Sequence, residues 1–489
     1  MTGLHVLTHP AGLPIGDEWV PVPATDQVRF PFTGELVADA PRGSSELATR
    51  AISYAAGLRE RAASLPSHVR RAALVETASE VAARRGQFEQ LLVLETGKPL
   101  VDCRVEVDRT LLTLTTAAEE VARLHGETVP LDLLPSGEGL FGFWVRKPIG
   151  VVVGIAGYNY PLLLASHKLA PALAAGCPVV VKPAPQTPLA TLWLVHLVRE
   201  ALASAGAPRG LVQLVTGGVD VGVALTTDPR VGAVSFTGSA AVGHQIAKDA
   251  APTKVLLELG SNSALVVAAD ADVEAAADAV VRGGYYASGQ ACISVQRVVV
   301  VEGVRDVFVA ALERRMAAVV VGDPRAPETR VSALIDERST GRVRAWVESA
   351  VSAGATLVQG GEVRGGVLQP TVLLDVPDGE LAWDEEVFGP VVAVRSVASL
   401  DEAFDVVNRS RYGLHASIFT ASLETAFRAI HRIETGGVVV NEVPGYRSDV
   451  MPYGGVKDSG VGREGPRFAI EELTVTRMAI VRPSARSRS

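Results

Sequence analysis

Three residues in this chain have the side chains and surroundings for covalent carbonyl chemistry. Cys292 stands in Gly289-Gln290-Ala291-Cys292, Glu258 in Val255-Leu256-Leu257-Glu258-Leu259-Gly260, and Asn159 in Gly157-Tyr158-Asn159-Tyr160-Pro161. A thiolate is a strong nucleophile, although a lone cysteine is more often a small buried hydrophobe. Position favours chemistry at Cys292. Asp272 to Ser288 reads as a helix capped by Asp272, and Val295 to Val301 as a β-branched strand, so the thiol falls between the two. Glu258 lies in an otherwise apolar strand, where a charge is costly; the raised pKa of such a carboxyl suits a general base. Asn159 follows the predicted strand Val151 to Ala156, where its amide could donate to a developing oxyanion. Each of the last two also has an ordinary reading as a satisfied structural polar group.

Two glycine-rich stretches compete as phosphate sites. Gly460-Val461-Gly462-Arg463-Glu464-Gly465 fits the GxGxxG spacing, but it follows no predicted strand and runs directly into Pro466, so it is rejected. In Ser235-Phe236-Thr237-Gly238-Ser239 a strand ends, Gly238 makes the turn and Ser239 opens a helix. Helix N-terminal amides beside a small hydroxyl suit a pyrophosphate, and an ordinary strand-to-helix turn looks the same. Arg109 lies three residues after Glu106 on one helical face, which reads locally as a surface ion pair.

The chain must be large enough to position these groups. Its 489 residues imply two to four domains, and 48% hydrophobic content allows sizeable cores. Three cysteines (Cys103, Cys177, Cys292) fit a reducing compartment and form no framework or metal-ligand spacing. The net charge of −8 argues against nucleic acid as partner. No apolar run approaches the roughly 18 residues of a membrane span. The expectation is a soluble, cytoplasmic protein without a metal.

Along the chain, Leu47 to about Leu124 is helical. Gly126 to Lys147 reads as a β-hairpin arm, with Phe141, Phe143 and Val145 alternating, and a long hairpin outside the main pattern suggests an oligomer contact. From Val151, strands and helices alternate: Leu162 to Ala175 is a helix closed by Gly176, and Thr187-Pro188 looks like the cap of the next. Such alternation predicts a doubly wound parallel sheet, with ligands at the strands' carboxyl ends. A second α/β set runs from Lys254 to Asn441. One helix, a short strand near Met478 to Val481 and a frayed Ser/Arg tail follow Glu464.

Taken together the residues resemble the aldehyde dehydrogenase superfamily. The matching stretches include Glu95-Thr96-Gly97-Lys98-Pro99, Lys182-Pro183, Phe236-Thr237-Gly238-Ser239, Glu258-Leu259-Gly260 and Gly289-Gln290-Ala291-Cys292. Glu385-Glu386-Val387-Phe388-Gly389-Pro390, Asn441 and Pro452-Tyr453-Gly454-Gly455-Val456-Lys457 continue them in the family's order. The resemblance implies an α/β fold with a Rossmann-like cofactor domain (1–125 and 147–259), an α/β catalytic domain (260–458) and a small β oligomerisation arm with the C-terminal segment (126–146 and 459–489). It implies Cys292 as nucleophile, Asn159 and the Cys292 amide as oxyanion donors, Glu258 as base and Glu464 in a proton relay. Lys182, Gly238, Ser239, Glu386 and Phe388 would hold NAD or NADP.

Two departures matter. Pro185 stands where many NAD-preferring members have a glutamate for the ribose hydroxyl, so a 2′-phosphate is not repelled. Asn441 to Tyr453 is similar to the non-phosphorylating glyceraldehyde-3-phosphate, phosphonoacetaldehyde and lactaldehyde dehydrogenases. That resemblance implies a substrate site at Arg109, Tyr160 and Arg447. Ala291 replaces the arginine that phosphate-handling members place before the cysteine. The expected substrate is a small anionic aldehyde, phosphonate- or phosphate-bearing, with a succinate semialdehyde or lactaldehyde enzyme, or a catalytically silent homologue, as alternatives. A homodimer or homotetramer is expected.

Overall fold

The computed structural model describes residues 9–483; the Ser/Arg tail lies outside the described residues. Its first large sheet has six strands in the order Gly460–Val461, Lys254–Glu258, Val231–Thr237, Val151–Ile155, Val179–Lys182, Val212–Leu214. The last five are parallel, and Val151–Ile155 and Val179–Lys182 are buried along their whole length. Runs of valine are what a parallel sheet covered on both faces requires. The register aligns the carboxyl ends: Ile155 opposes Lys182, Phe236 opposes Ile155, and Thr237 opposes Glu258. Three positions singled out by sequence, Lys182, Gly238 and Glu258, therefore share one sheet edge.

A second sheet has seven strands, ordered Thr356–Gln359, Thr371–Leu374, Val391–Val397, Arg297–Val301, Ala264–Val267, His415–Phe419 and Gly437–Val440, with only the first antiparallel. The third large element is the arm. Thr474–Val481 runs antiparallel to Phe141–Pro148 over its full length, from Thr474 opposite Pro148 to Val481 opposite Phe141. Glu127–Val129 pairs on the other side. The strand is longer than the expected Met478 to Val481 because Thr474, Thr476 and Arg477 dilute the apolar pattern while the backbone continues its ladder.

The segment after residue 459 is not all arm. Gly460–Val461 adds an antiparallel edge beside Glu258 in the first sheet. Gly460 has φ +148°, and a Cβ there would come within 2.0 Å of the Leu257 carbonyl oxygen. The GxGxxG spacing thus owes its first glycine to close strand approach.

Buried carboxylates, rather than local caps, start two central helices. Glu95 accepts hydrogen bonds from the Leu189 and Ala190 amides at 2.9 and 3.0 Å, opening helix Leu189–Ser204. The expected Thr187 cap does not form, and the Thr187 hydroxyl has no partner among the described residues. Glu106 likewise accepts from Leu162 and Leu163 at 2.9 and 3.2 Å, opening the fully buried helix Pro161–Ala175. Its other oxygen pairs with Lys98. The local Arg109–Glu106 pair is therefore not made; Glu106 points inward, where two amides and an ammonium compete for it.

Candidate active site

The helix before Cys292, Val273–Tyr285, is capped by Asp272, whose side chain accepts from the Ala275 amide at 3.0 Å. The chain then makes a left-handed run at Ala287, Ser288 and Gly289, with φ of 49°, 56° and 74°. Alanine and serine pay about 1 kcal/mol or more for this conformation, so the fold must hold them there. Asp102 accepts from the Ala287 amide at 2.9 Å, and the Ser288 hydroxyl accepts from the Ser332 amide at 2.9 Å. Gln290 is held at both ends: its side-chain oxygen accepts from Ile335 at 3.0 Å and its carbonyl from Asn159 Nδ2 at 2.8 Å. At Gly289 any Cβ would lie 2.1 Å from the Gly389 oxygen. The loop is over-determined, and it delivers Cys292 partly exposed into a cavity of about 640 Å³. Cys103 and Cys177 are buried in the core.

Burial pushes the Cys292 thiol up to about 11, while a hydrogen bond with the Tyr453 hydroxyl at 3.3 Å draws it back. Asn159 uses one amide hydrogen on Gln290, leaving the other. The Cys292 backbone N–H makes no hydrogen bond among the described residues. Two donors beside the sulfur are what an oxyanion would need. Glu258 ends its strand in the same cavity, with Oε2 buried and without a hydrogen-bond partner among the described residues. Burial first, and then the nearby charge of Glu464, hold its carboxyl well above the usual range.

Behind this wall lies a charged network. Arg109 grips Asp449 with Nε and Nη2, both at 2.9 Å. His167 bridges Asp449 at 3.0 Å and Glu464 at 3.3 Å. Lys168 pairs closely with Glu464, and Arg447 Nη2 donates to Glu464 at 3.0 Å. Burial opposes the charge on Glu464, but Lys168 and His167 hold its carboxyl well below the ordinary range. Glu464 does not line the cavity. Arg109, Tyr160 and Arg447 do, and Nη1 of each arginine and the Tyr160 hydroxyl have no hydrogen-bond partner among the described residues. The Arg447 guanidinium lies 3.6 Å from the Tyr453 ring centre, and Lys98 Nζ 3.6 Å from that of Tyr160.

The other end of the cavity is lined by Gly238, Ser239, Glu386 and Phe388. Ser239 caps helix Ala240–Asp249, which points its first-turn amides at the strand ends. Glu386 accepts from the Ser261 amide at 3.0 Å, and burial pushes its carboxyl up to about 7. Phe388 is held at φ +49°. Lys182 is buried just off the cavity lining, and its ammonium makes one long contact, 3.4 Å to the Pro183 carbonyl. Burial lowers it to about 8. An ammonium so little engaged fits the hydroxyls of a dinucleotide, and the helix start at Ser239 its phosphates.

Sequence reasoning overlooked several participants. Tyr453 and Lys98 are visible only as parts of matching stretches, without a role. Asp102 and His167 give no signal, because each matters through partners far away in the chain.

A dinucleotide-type sheet opening onto a nucleophilic thiol defines the class of covalent dehydrogenases. Residues 19–479 match the aldehyde dehydrogenase family, and the chain belongs to it: it is an NAD(P)-dependent aldehyde dehydrogenase. It is 39% identical over 471 residues to 3-sulfolactaldehyde dehydrogenase of Priestia aryabhattai, covering 96% of this chain and 98% of that one. It is 38% identical to aspartate-semialdehyde dehydrogenase 1 of Pseudomonas canavaninivorans, covering 92% and 94%. Among solved structures, the NADP-dependent glyceraldehyde-3-phosphate dehydrogenase from Bacillus halodurans complexed with NADP superposes with a TM-score of 0.93 at 34% identity, covering 97% of this chain and 99% of that one. Aldehyde dehydrogenase 21 from Physcomitrella patens in complex with the reaction product succinate gives 0.92 at 34%, covering 97% and 99%.

Proposed function

We propose that this enzyme oxidises a small aldehyde carrying a second, acidic group to the corresponding acid, with NAD or NADP. One observation carries the reading: Arg109, Arg447 and Tyr160 line the cavity that holds Cys292, and Arg109 Nη1, Arg447 Nη1 and the Tyr160 hydroxyl have no hydrogen-bond partner among the described residues. The network behind them sets Arg109, Arg447 and Lys168 against Asp449 and Glu464, with Glu258 a further carboxyl near Arg447 and Lys168. A substrate anion would take the arginines' remaining N–H groups, which offer forked donors to its oxygens. The names of the relatives agree in kind, since sulfolactaldehyde, aspartate semialdehyde and glyceraldehyde 3-phosphate all bear an acid. With Ala291 before the cysteine, a short sulfonate or phosphonate suits the site better than a longer phosphate ester.

In the reaction, Cys292 loses its proton to water in the open cavity, and the sulfur attacks the aldehyde carbon as the thiolate. The C–S bond forms, and the carbonyl π pair moves to oxygen, where the Asn159 amide and the Cys292 N–H stabilise it by about 2.7–4 kcal/mol per donor. NAD(P)⁺, when held in the site, would supply the two-electron oxidant for loss of hydride from this carbon. The product on Cys292 is a thioester. Glu258, ionised, takes a proton from water as the water oxygen attacks, and the C–S bond breaks with sulfur leaving as thiolate. Lys182, Ser239 and Gly238 would hold the dinucleotide's ribose and phosphates, with Glu386 and Phe388 at the nicotinamide end. Glu464 stays in the wall, anchoring Arg447.

A neutral hydroxyaldehyde is the second reading, favoured by the carboxylates already paired with both arginines and by lactaldehyde dehydrogenases of Methanococcus among the relatives, 34% identical for Methanococcus aeolicus. A panel of short aldehydes with and without sulfonate, phosphonate, phosphate or carboxylate, followed by NAD(P)H absorbance, separates the two. Higher kcat/KM for propanal or lactaldehyde than for every acid-bearing aldehyde would overturn the anionic reading. We further propose that the arm joins subunits and that the enzyme works in the cytoplasm, where three free thiols are stable. No helix is long and apolar enough to cross a membrane among the described residues.

A further inference from the structure

The phenol of Tyr453 is a buried polar group with one partner. It is 2% exposed, and among the described residues its hydroxyl hydrogen bonds only to Cys292 Sγ, at 3.3 Å. A buried hydroxyl rarely spends its single hydrogen bond on a sulfur, because a neutral thiol is both a weak donor and a weak acceptor. The contact becomes strong only when the sulfur is an anion, as charge-assisted bonds are about twice as strong as neutral ones.

The surroundings of the ring are arranged for that state. Arg447 lies over one face at 3.6 Å, and the His415 ring meets it edge-on at 5.0 Å. A cation against the ring draws electron density from the phenol and strengthens its O–H as a donor. His415 is locked by its contact with the Pro444 carbonyl at 3.0 Å, and burial lowers it to about 4, so it brings no opposing charge at neutral pH. The same residue secures both partners. Glu464 accepts from Arg447 Nη2 at 3.0 Å through its side chain and pairs with the Tyr453 backbone amide at 3.1 Å through its carbonyl.

We propose that Tyr453 is a catalytic residue whose hydroxyl donates to the Cys292 thiolate, with Arg447 lying over its ring to make it the stronger donor. Tyr453 keeps its own proton throughout. It holds the sulfur charge before attack and receives it again when the thioester breaks. The inference rests on Cys292 as nucleophile, which Cys292→Ala tests separately by loss of all turnover.

The experiment is the pH dependence of Cys292 alkylation by iodoacetamide in the full-length enzyme, with Cys292→Ala as the blank. Tyr453→Phe should move the midpoint up by about one pH unit, roughly tenfold lower reactivity at neutral pH, with the high-pH plateau and NADH binding unchanged. Placing 3-fluorotyrosine at position 453 keeps the shape and strengthens the donor, so it should move the midpoint down; a merely structural tyrosine would not respond. An unchanged midpoint in either variant overturns the proposal. If Tyr453→Phe does not fold, the fluorotyrosine enzyme decides alone.

Discussion

Arg109 and Asp449, 340 residues apart in the chain, meet in a two-pronged pair with both N–O distances at 2.9 Å. Burial opposes the charge on Asp449, but the His167 and Arg109 hydrogen bonds hold its carboxyl far below the usual range, so the pair persists at any working pH. The pair engages Nε and Nη2 and leaves Nη1 of Arg109, a cavity-lining residue, without a hydrogen-bond partner among the described residues.

If the proposed anion site holds, Arg109 is the arginine whose loss should discriminate between substrates. Arg109→Met should raise KM for an acid-bearing aldehyde about tenfold, about 1.4 kcal/mol, and leave propanal nearly unchanged. Arg447→Ala should damage both substrates, because Arg447 also supports Glu464 and Tyr453. Initial-rate kinetics with the two aldehydes check both. A parallel loss for Arg109→Met would assign that residue to the wall.

Glu258→Gln should separate the half-reactions. Attack and oxidation need the thiolate and the dinucleotide, whereas deacylation needs a base. A stopped-flow trace should show a burst of reduced dinucleotide near one per site, then slow turnover. In the wild type the steady rate should rise with pH, since burial keeps Glu258 protonated above the ordinary carboxylate range. If the variant gives no burst while dinucleotide binding is intact, Glu258 acts before the thioester forms.

Asp102 gives a stability signature. Burial pushes it up to about 6 from the model-peptide value of 3.8, against the pull of the Ala287 amide. The folded chain then holds the proton more tightly than the unfolded chain, so this group's contribution is full below about pH 4 and is lost as pH rises towards 6. Asp102→Asn keeps an acceptor for Ala287 without the charge. Its unfolding free energy from urea titration should exceed wild type at pH 7 by on the order of 2–3 kcal/mol and match it near pH 4. Equal offsets at both pH values would show that Asp102 does not titrate in this window.

The arm exposes Phe141 and Ile480, 51% and 60%, on opposite faces of its paired strands, since Phe141 stands opposite Val481 and Ile480 opposite Gly142; large apolar side chains so exposed mark a surface ordinarily covered. Ile480→Glu with Phe141→Glu should reduce the particle to a smaller species in light scattering while leaving the monomer's circular dichroism unchanged. An unaltered mass would overturn the proposal that the arm joins subunits.

The sequence by itself determined the alternating α/β order, the helix-to-strand gap that exposes Cys292, the apolar strand ending at Glu258 and the Ser239 cap. These are local properties: periodicity, propensity and capping act within a few residues and leave their mark in order. Only the tertiary structure decided who answers whom. Glu106 read as a partner for Arg109 and instead starts a helix and binds Lys98; Thr187 read as a cap and yielded to Glu95; Asp449 takes both Arg109 and His167. Buried charges take whichever partner the packed chain brings within hydrogen-bond reach, because desolvation makes an unpaired charge costly, and sequence separation has no part in that choice. The phenol beside the thiol belongs with these: Tyr453 reaches Cys292 across 161 residues, and nothing local to either one records it.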